Sequence, residues 1–156
     1  MRVFSFIALA LLLAGTGTPA CAKDIALVSN KANALSGITM PDLLKACKGQ
    51  INHWPDGKPV TCIIRNPESP DMRIVLEKLY SLAKPELITA IAAANHGRSS
   101  HPAIVVVESD DALVKRVEST PGSVGLVDVY SITGGVNVVK IGGKLPLEPG
   151  YPLHGN

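Results

Sequence analysis

The stretch STPGSVGLVD, residues 119–128, joins a tight turn to a strand-like run of small and apolar residues. Pro121 and Gly122 form a dipeptide that is typical of turns. Gly125 lies in the middle of the following run, where a glycine weakens a strand and usually marks a bulge or the close approach of another group. We therefore predict a turn, then a strand that another part of the molecule approaches closely.

The segments around this stretch alternate between strand-like and helix-like patterns. Thr39, Ser69 and Ser109 each precede an apolar set at helical spacing, which predicts three capped helices. Residues 84–95 add a further helix, and strands are predicted at residues 24–29, 60–65, 102–109 and 123–128, with a fifth strand or hairpin arm at residues 136–143. This order predicts an α/β fold: a single three-layer lobe with a central, mostly parallel sheet and helices on its faces. The tail, residues 144–156, is rich in proline and predicts a surface strap.

The first 22 residues have the pattern of a secretory signal peptide. Arg2 is followed by an apolar run at residues 3–14, which is too short for a stable membrane span, and by the small residues Ala20, Cys21 and Ala22. We expect cleavage after Ala22, a periplasmic or secreted protein, no transmembrane segment after cleavage, and one domain over residues 23–156. Lipid attachment at Cys21 is the alternative.

Charge and motifs exclude several classes of function. The chain has 15 Lys and Arg against 13 Asp and Glu, which gives no reason to expect a nucleic-acid partner. It lacks the common catalytic signatures, and its four histidines do not have metal-ligand spacing, so we predict no enzyme, metal or cofactor. A Ser-His pair within the loop at residues 96–101 is the enzymatic alternative.

Cys47 and Cys62 are the cysteines that remain after the predicted cleavage. Two cysteines in an exported chain indicate a disulfide. The alternative is a pair of buried free thiols, because the spacing alone does not establish that the two residues come within bonding range.

The loop IIRNPESPDMR, residues 63–73, is the candidate ligand site. A strand ends at Arg65 and a helix is predicted to begin at Ser69, so backbone N–H groups, Arg65 and Arg73 could together hold an anion. Pro70 removes one donor and Asp71 adds a negative charge. In the structural alternative, Ser69 only caps the helix and the arginines bind no ligand.

Four segments in the same order resemble one lobe of the periplasmic phosphate-binding proteins, the solute-binding components of phosphate ABC transporters. They are DIALVSNKAN, ITMPDLLKACKGQINHWPDGKPV, IIRNPESPDMR and VESTPGSVGLVDVY. The resemblance implies a lobe of the type 2 periplasmic-binding-protein fold. It also implies that Ser69 and Arg65 match the serine and arginine that bind phosphate in that family, and that Gly125 faces the cleft between two lobes. A close helix contact is the alternative for Gly125.

The chain that remains after the predicted cleavage is long enough for one lobe, whereas proteins of that family close two lobes around their ligand. Two functions follow. The protein is a solute-binding type that holds a phosphate-like oxyanion through Arg65, Ser69 and Arg73, or it is an interaction module that docks on a partner protein or on a second copy without a small ligand.

Overall fold

The computed structural model describes residues 23–155, in which helices and strands alternate. The predicted leader with its cleavage site and Cys21 lies outside the described residues. The strands are β1 (Ile25–Asn30), β2 (Gly37–Ile38), β3 (Thr61–Arg65), β4 (Ile104–Val107), β5 (Ser123–Asp128), β6 (Val136–Val138) and β7 (Lys140–Ile141). The helices are α1 (Met40–Cys47), α2 (Met72–Ile74) with its π-helical continuation Val75–Tyr80, α3 (Lys84–Asn95) and α4 (Asp110–Ser119). No helix within residues 23–155 combines the length and the apolar character needed to cross a membrane.

Five strands form the central sheet in the order β4-β3-β5-β1-β6. β3 is parallel to both β4 and β5, whereas β1 is antiparallel to both β5 and β6. Four strands therefore run in one direction and β1 runs in the other, which confirms the mostly parallel α/β sheet. The reversed direction of β1 brings its first residues to the edge where β3, β4 and β5 end.

Helices cover both faces of the sheet, as the three-layer prediction requires. One face packs against α1, the π-helix, α3 and the tail, through buried residues such as Leu43, Leu79 and Leu153. The other face packs against α4, through Leu113 and Val117. Both α1 and α4 begin where predicted, because the hydroxyls of Thr39 and Ser109 accept hydrogen bonds from backbone N–H groups of the first turn.

The turn before β5 requires glycine. Gly122 has a φ of +87°, and a Cβ there would overlap the carbonyl oxygen of Pro59. Its own carbonyl oxygen accepts a hydrogen bond from Trp54 Nε1 at 2.7 Å. The predicted Pro-Gly turn is therefore confirmed, and Trp54 packs beside it.

Helix α4 is the element that approaches Gly125 closely. A Cβ at this position would lie 2.6 Å from Leu113 Cδ2 and 2.8 Å from Val117 Cγ2. The absence of a side chain lets α4 pack directly on β5. The expectation that Gly125 faces an interlobe cleft is wrong, and the alternative of a close helix contact is confirmed.

The tail differs from the predicted surface strap because part of it belongs to the core. Tyr151 and Leu153 are buried, and the Ile25 N–H donates to the Leu153 carbonyl oxygen at 3.0 Å. The predicted strand at residues 136–143 divides at Val139 into β6 and β7, which join different sheets.

Candidate functional site

The candidate site lies at the edge of the sheet where β3 and β5 end. Arg65 is the last residue of β3 and Asp128 the last of β5, and these strands are parallel neighbours. Lys23 precedes the reversed strand β1, and Asp110 opens α4 shortly after β4 ends. Charged side chains from four segments therefore meet at one edge, which is where α/β sheets commonly bind ligands.

Carboxylates hold the Arg65 guanidinium group. Its Nη1 donates to Asp110 Oδ1 and lies 3.9 Å from Asp71 Oδ2. Ser131 Oγ donates to the other oxygen of Asp110 at 2.8 Å. The Arg65 side chain is only 17% exposed, so these charge-assisted contacts are partly shielded from water and fix its position.

Lys23 and Asp128 form the second ion pair of the site, with Nζ 2.8 Å from Oδ2. The Asp128 hydrogen bond, together with the charges of Asp128 and Asp71, raises the pKa of Lys23. Burial alone would raise the pKa of Asp128, but the hydrogen bonds from Lys23 and from the Tyr130 N–H outweigh it and lower that pKa. Both groups are therefore charged at neutral pH.

Negative charge exceeds positive charge in this cluster. Asp71, Asp110 and Asp128 each place an oxygen within 4.8 Å of the others, a set that could hold a metal ion in principle. Lys23 and Arg65 already engage these oxygens. The arrangement is an ion-pair network of three carboxylates and two cations.

Ser69 does not cap the following helix, so that prediction is wrong. The loop instead folds into consecutive turns, in which the Met72 N–H donates to the Ser69 carbonyl oxygen and the Arg73 N–H to that of Pro70. Helix α2 begins only at Met72, and Asp71 precedes it without a side-chain cap. These turns take the place of the predicted first helical turn.

Two buried donors of the predicted loop have no partner. Within residues 23–155, the buried side-chain polar atoms without a hydrogen bond are Arg65 Nε and Ser69 Oγ. Leaving a buried polar group unpaired costs about 1–3 kcal/mol, so such an atom usually marks the place of a water or a ligand.

Arg73 lies apart from the ion-pair network. Its side chain is exposed and lines a cavity of about 600 Å³ together with Ser69, Lys84 and Glu68. Lys84 Nζ lies 3.0 Å from a Glu68 oxygen. The structure thus places Ser69 with Arg73 in one cavity, and Arg65 among the aspartates.

Cys47 and Cys62 are outside the candidate site. Both are fully buried and are present as free cysteines. Burial, together with the neighbouring Cys62 thiol, raises the pKa of Cys47. Tyr80 Oη donates to the Cys47 carbonyl oxygen at 2.8 Å, which ties the end of α1 to the π-helix.

Comparison with known proteins identifies the family. A family model described as "PBP superfamily domain" matches residues 12–153. The chain belongs to the PBP superfamily. No curated protein sequence matches it closely enough to count as a relative.

Solved structures share the PBP superfamily fold of this chain at low sequence identity. An ABC-type phosphate transport receptor from Vibrio cholerae has 18% identity and a TM-score of 0.70, with 86% of this chain and 54% of that chain covered. A putative phosphate ABC transporter substrate-binding protein from Clostridium perfringens has 17% identity and a TM-score of 0.63, with coverage of 78% and 46%. PstS from Borrelia burgdorferi has 18% identity and a TM-score of 0.65, with coverage of 86% and 55%.

This member of the PBP superfamily spans about half the length of these structures. The resemblance predicted from the sequence is confirmed, as is its restriction to one lobe.

Sequence reasoning found Arg65 but missed the residues that surround it. Asp128 ends one predicted strand. Asp110 begins a predicted helix that directly follows another predicted strand. Polar residues at the ends of neighbouring parallel strands share one edge of the sheet, so strand order would have brought them together. Lys23 could not be found in this way, because its position depends on the reversed direction of β1.

Proposed function

We propose that this protein is an exported, periplasmic or secreted, solute-binding lobe that holds a phosphate-like oxyanion at the loop from Arg65 to Arg73. The two unpartnered donors, Arg65 Nε and Ser69 Oγ, carry the proposal. An oxyanion offers several acceptor oxygens and can accept from more than one donor of this loop. The function is binding rather than catalysis, in keeping with the receptors and substrate-binding proteins that share the fold.

The neighbouring carboxylates favour an oxyanion that carries a proton. Asp71 and Asp110 would repel a fully ionised anion, but a protonated oxygen can donate a hydrogen bond to a carboxylate. Inorganic phosphate keeps at least one proton at neutral pH, as H2PO4⁻ or HPO4²⁻, whereas sulfate is fully ionised. We therefore expect phosphate to bind more tightly than sulfate.

A single lobe that binds the anion on its own should have modest affinity, and this chain matches about half the length of the phosphate receptor structures. Burying a small anion requires nearly complete replacement of its hydration by protein donors. One half of a cleft leaves part of the anion in water.

Calorimetric titration of the mature chain with phosphate, sulfate and molybdate tests the proposal. We expect heat with phosphate, weaker heat with sulfate, and a loss of affinity of about tenfold or more in Arg65→Ala and Ser69→Ala. Ser99→Ala, a change in an exposed loop residue, is the matched control and should bind phosphate like the wild type. The absence of heat with every oxyanion from a folded protein would refute the proposal.

An interaction module is the second candidate. Tyr130 is 68% exposed beside Asp128, at the same edge of the sheet, and large exposed aromatic side chains are common in protein interfaces. In this function the edge docks on a partner protein or on a second copy of the chain. Light scattering after size-exclusion chromatography, compared between wild type and Tyr130→Ser, would reveal self-association through this edge. A monomer that binds phosphate would instead favour the first candidate.

A further inference from the structure

A groove of about 730 Å³ lies at the end of the sheet opposite to the candidate site. Trp54 forms one wall and is hydrogen-bonded to Gly122, which lies just before the start of β5. Asp128, in the candidate site, lies at the other end of β5. Leu35, Ile38 and Ile51 add apolar side chains to the lining. We call this cavity the Trp54 groove.

The walls of the Trp54 groove are already fixed. Trp54 is only 8% exposed, and its Nε1 donates to the Gly122 carbonyl oxygen at 2.7 Å. On another side, β2 pairs with β7, and the Gly142 N–H donates to the Ile38 carbonyl oxygen at 2.9 Å. Gly142 and Gly143 line the groove without side chains, which leaves its interior open. A ligand would therefore enter a preformed space, which lowers the entropic cost of binding.

The polar groups of the groove are few. Thr39 and Asp42, at the start of α1, line it together with His53. Among the residues that the structure describes, the lining contains one carboxylate and neither lysine nor arginine. Thr39 Oγ1 donates to Asp42 Oδ2 at 2.8 Å, and this bond is the main cause that lowers the pKa of Asp42. Lys45 lies 3.5 Å from the other oxygen, and both side chains of that pair are more than half exposed, so water screens the pair.

We propose that the Trp54 groove binds a small amphiphile whose apolar body packs against Trp54 and Ile51 and whose ammonium head lies at Asp42. The volume falls within the range of about 300–1,000 Å³ that is usual for small-molecule sites. The apolar walls fit a hydrocarbon or aromatic body. Asp42 is the one carboxylate among the described residues of the lining, and the Lys45 ion pair that it forms is screened by water, so the groove favours a cationic head over an anionic one.

Octylammonium, 1-octanol and octanoate test this proposal, because they share an apolar chain and differ in the charge of the head group. Trp54 is the only tryptophan in the sequence, so its fluorescence reports directly on the groove. We expect saturable fluorescence changes in the mature protein, with the tightest binding for octylammonium and the weakest for octanoate. Ile51→Ala should weaken all three ligands, because it removes apolar contact.

The substitution Asp42→Asn removes the negative charge but keeps the hydrogen bond at the start of α1, because the asparagine oxygen can still accept from the Thr39 hydroxyl. We expect it to weaken octylammonium by up to about fivefold, as an exposed ion pair would, and to leave octanol unchanged. Asp111→Asn, at the exposed start of α4, is the matched control and should change nothing. No saturable change with any probe, or octanoate binding as tightly as octylammonium, would overturn the proposal. Neither result depends on phosphate binding at the other end of the sheet.

Discussion

The carboxamide of Asn95 takes the place of a neighbouring strand at Ile104. Its Oδ1 accepts from the Ile104 N–H at 3.0 Å, and its Nδ2 donates to the Ile104 carbonyl oxygen at 2.7 Å. β4 is an outer strand of the sheet, and outer strands expose backbone groups that can pair with other chains. Asn95, the last residue of α3, thus satisfies the backbone groups at the start of β4 that would otherwise be free to pair with another chain.

We expect Asn95→Ala to destabilise the fold by about 1–3 kcal/mol, because both backbone groups of Ile104 lose a partner in a partly buried position. Urea unfolding followed by circular dichroism measures the change. Asn137→Ala, on the exposed side of β6, is the control and should stay within about 0.5 kcal/mol of wild type. Asn95→Ala should also aggregate faster than Asn137→Ala, because the exposed edge of β4 can then pair with another chain. Equal stability of the two variants would show that water replaces the Asn95 amide without cost.

Gly125 provides a test of the packing of α4 on β5. A Cβ at this position would lie within 3 Å of both Leu113 and Val117, so Gly125→Ala forces the helix away from the strand. We expect a loss of about 1–3 kcal/mol in the free energy of unfolding. Gly134→Ala is the matched control, because a Cβ there meets no atom within 4 Å. If both substitutions had the same small effect in urea unfolding, the close contact would carry no energetic weight.

Local signals in the sequence predicted the elements and their order. The hydroxyl caps at Thr39 and Ser109 and the turn at Gly122 depend on a few neighbouring residues, so their outcome was predictable. The start of α2 was not, because Ser69 and Pro70 allow either a helical cap or consecutive turns.

Long-range relations were harder to predict. The direction of β1 depends on pairing with residues about a hundred positions away, and this pairing brings Lys23 to Asp128. The function of Gly125 was ambiguous for the same reason, since a small residue in a strand does not reveal what approaches it. The ion-pair network around Arg65 therefore required the structure, although Arg65 itself was predicted as a site residue.

The disulfide between Cys47 and Cys62 remains a prediction for the exported protein. The two free thiols are buried neighbours, and the raised pKa of Cys47 makes its reactive thiolate scarce at neutral pH. We therefore expect the bond to form during folding in an oxidising compartment. A loop of about 15 residues closed in this way stabilises the fold by on the order of 3 kcal/mol.

Intact mass measured before and after reduction checks this disulfide, since the oxidised chain is lighter by two hydrogens. Reduction should also lower the free energy of unfolding of the wild type. Cys47→Ala cannot form the bond, so its stability should not respond to the reductant. Alkylation of both thiols in unreduced protein isolated from the periplasm would contradict the prediction.

The pair of Lys23 and Asp128 predicts a loss of stability in acid. The lowered pKa of Asp128 in the folded chain means that its ionised form stabilises the fold above the ordinary aspartate pKa of about 3.9. This contribution decreases as the pH falls through the folded value, where the carboxylate takes up a proton. At pH 7 we expect Asp128→Asn to lower the free energy of unfolding by about 1–3 kcal/mol, because Lys23 loses a charged partner.

The difference between wild type and Asp128→Asn should shrink steadily as the pH is lowered below about 4, because Asp128 of the unfolded chain then takes up a proton, and it should vanish below the lowered pKa of the folded chain, where the wild-type side chain is neutral as well. Urea unfolding at a series of pH values measures it. Asp111→Asn removes an exposed carboxylate from the first turn of α4 and should show a much smaller difference at pH 7. A difference for Asp128→Asn that stays constant from pH 7 to pH 3 would mean that the amide disturbs packing, and that the Lys23 ion pair does not stabilise the edge of the sheet.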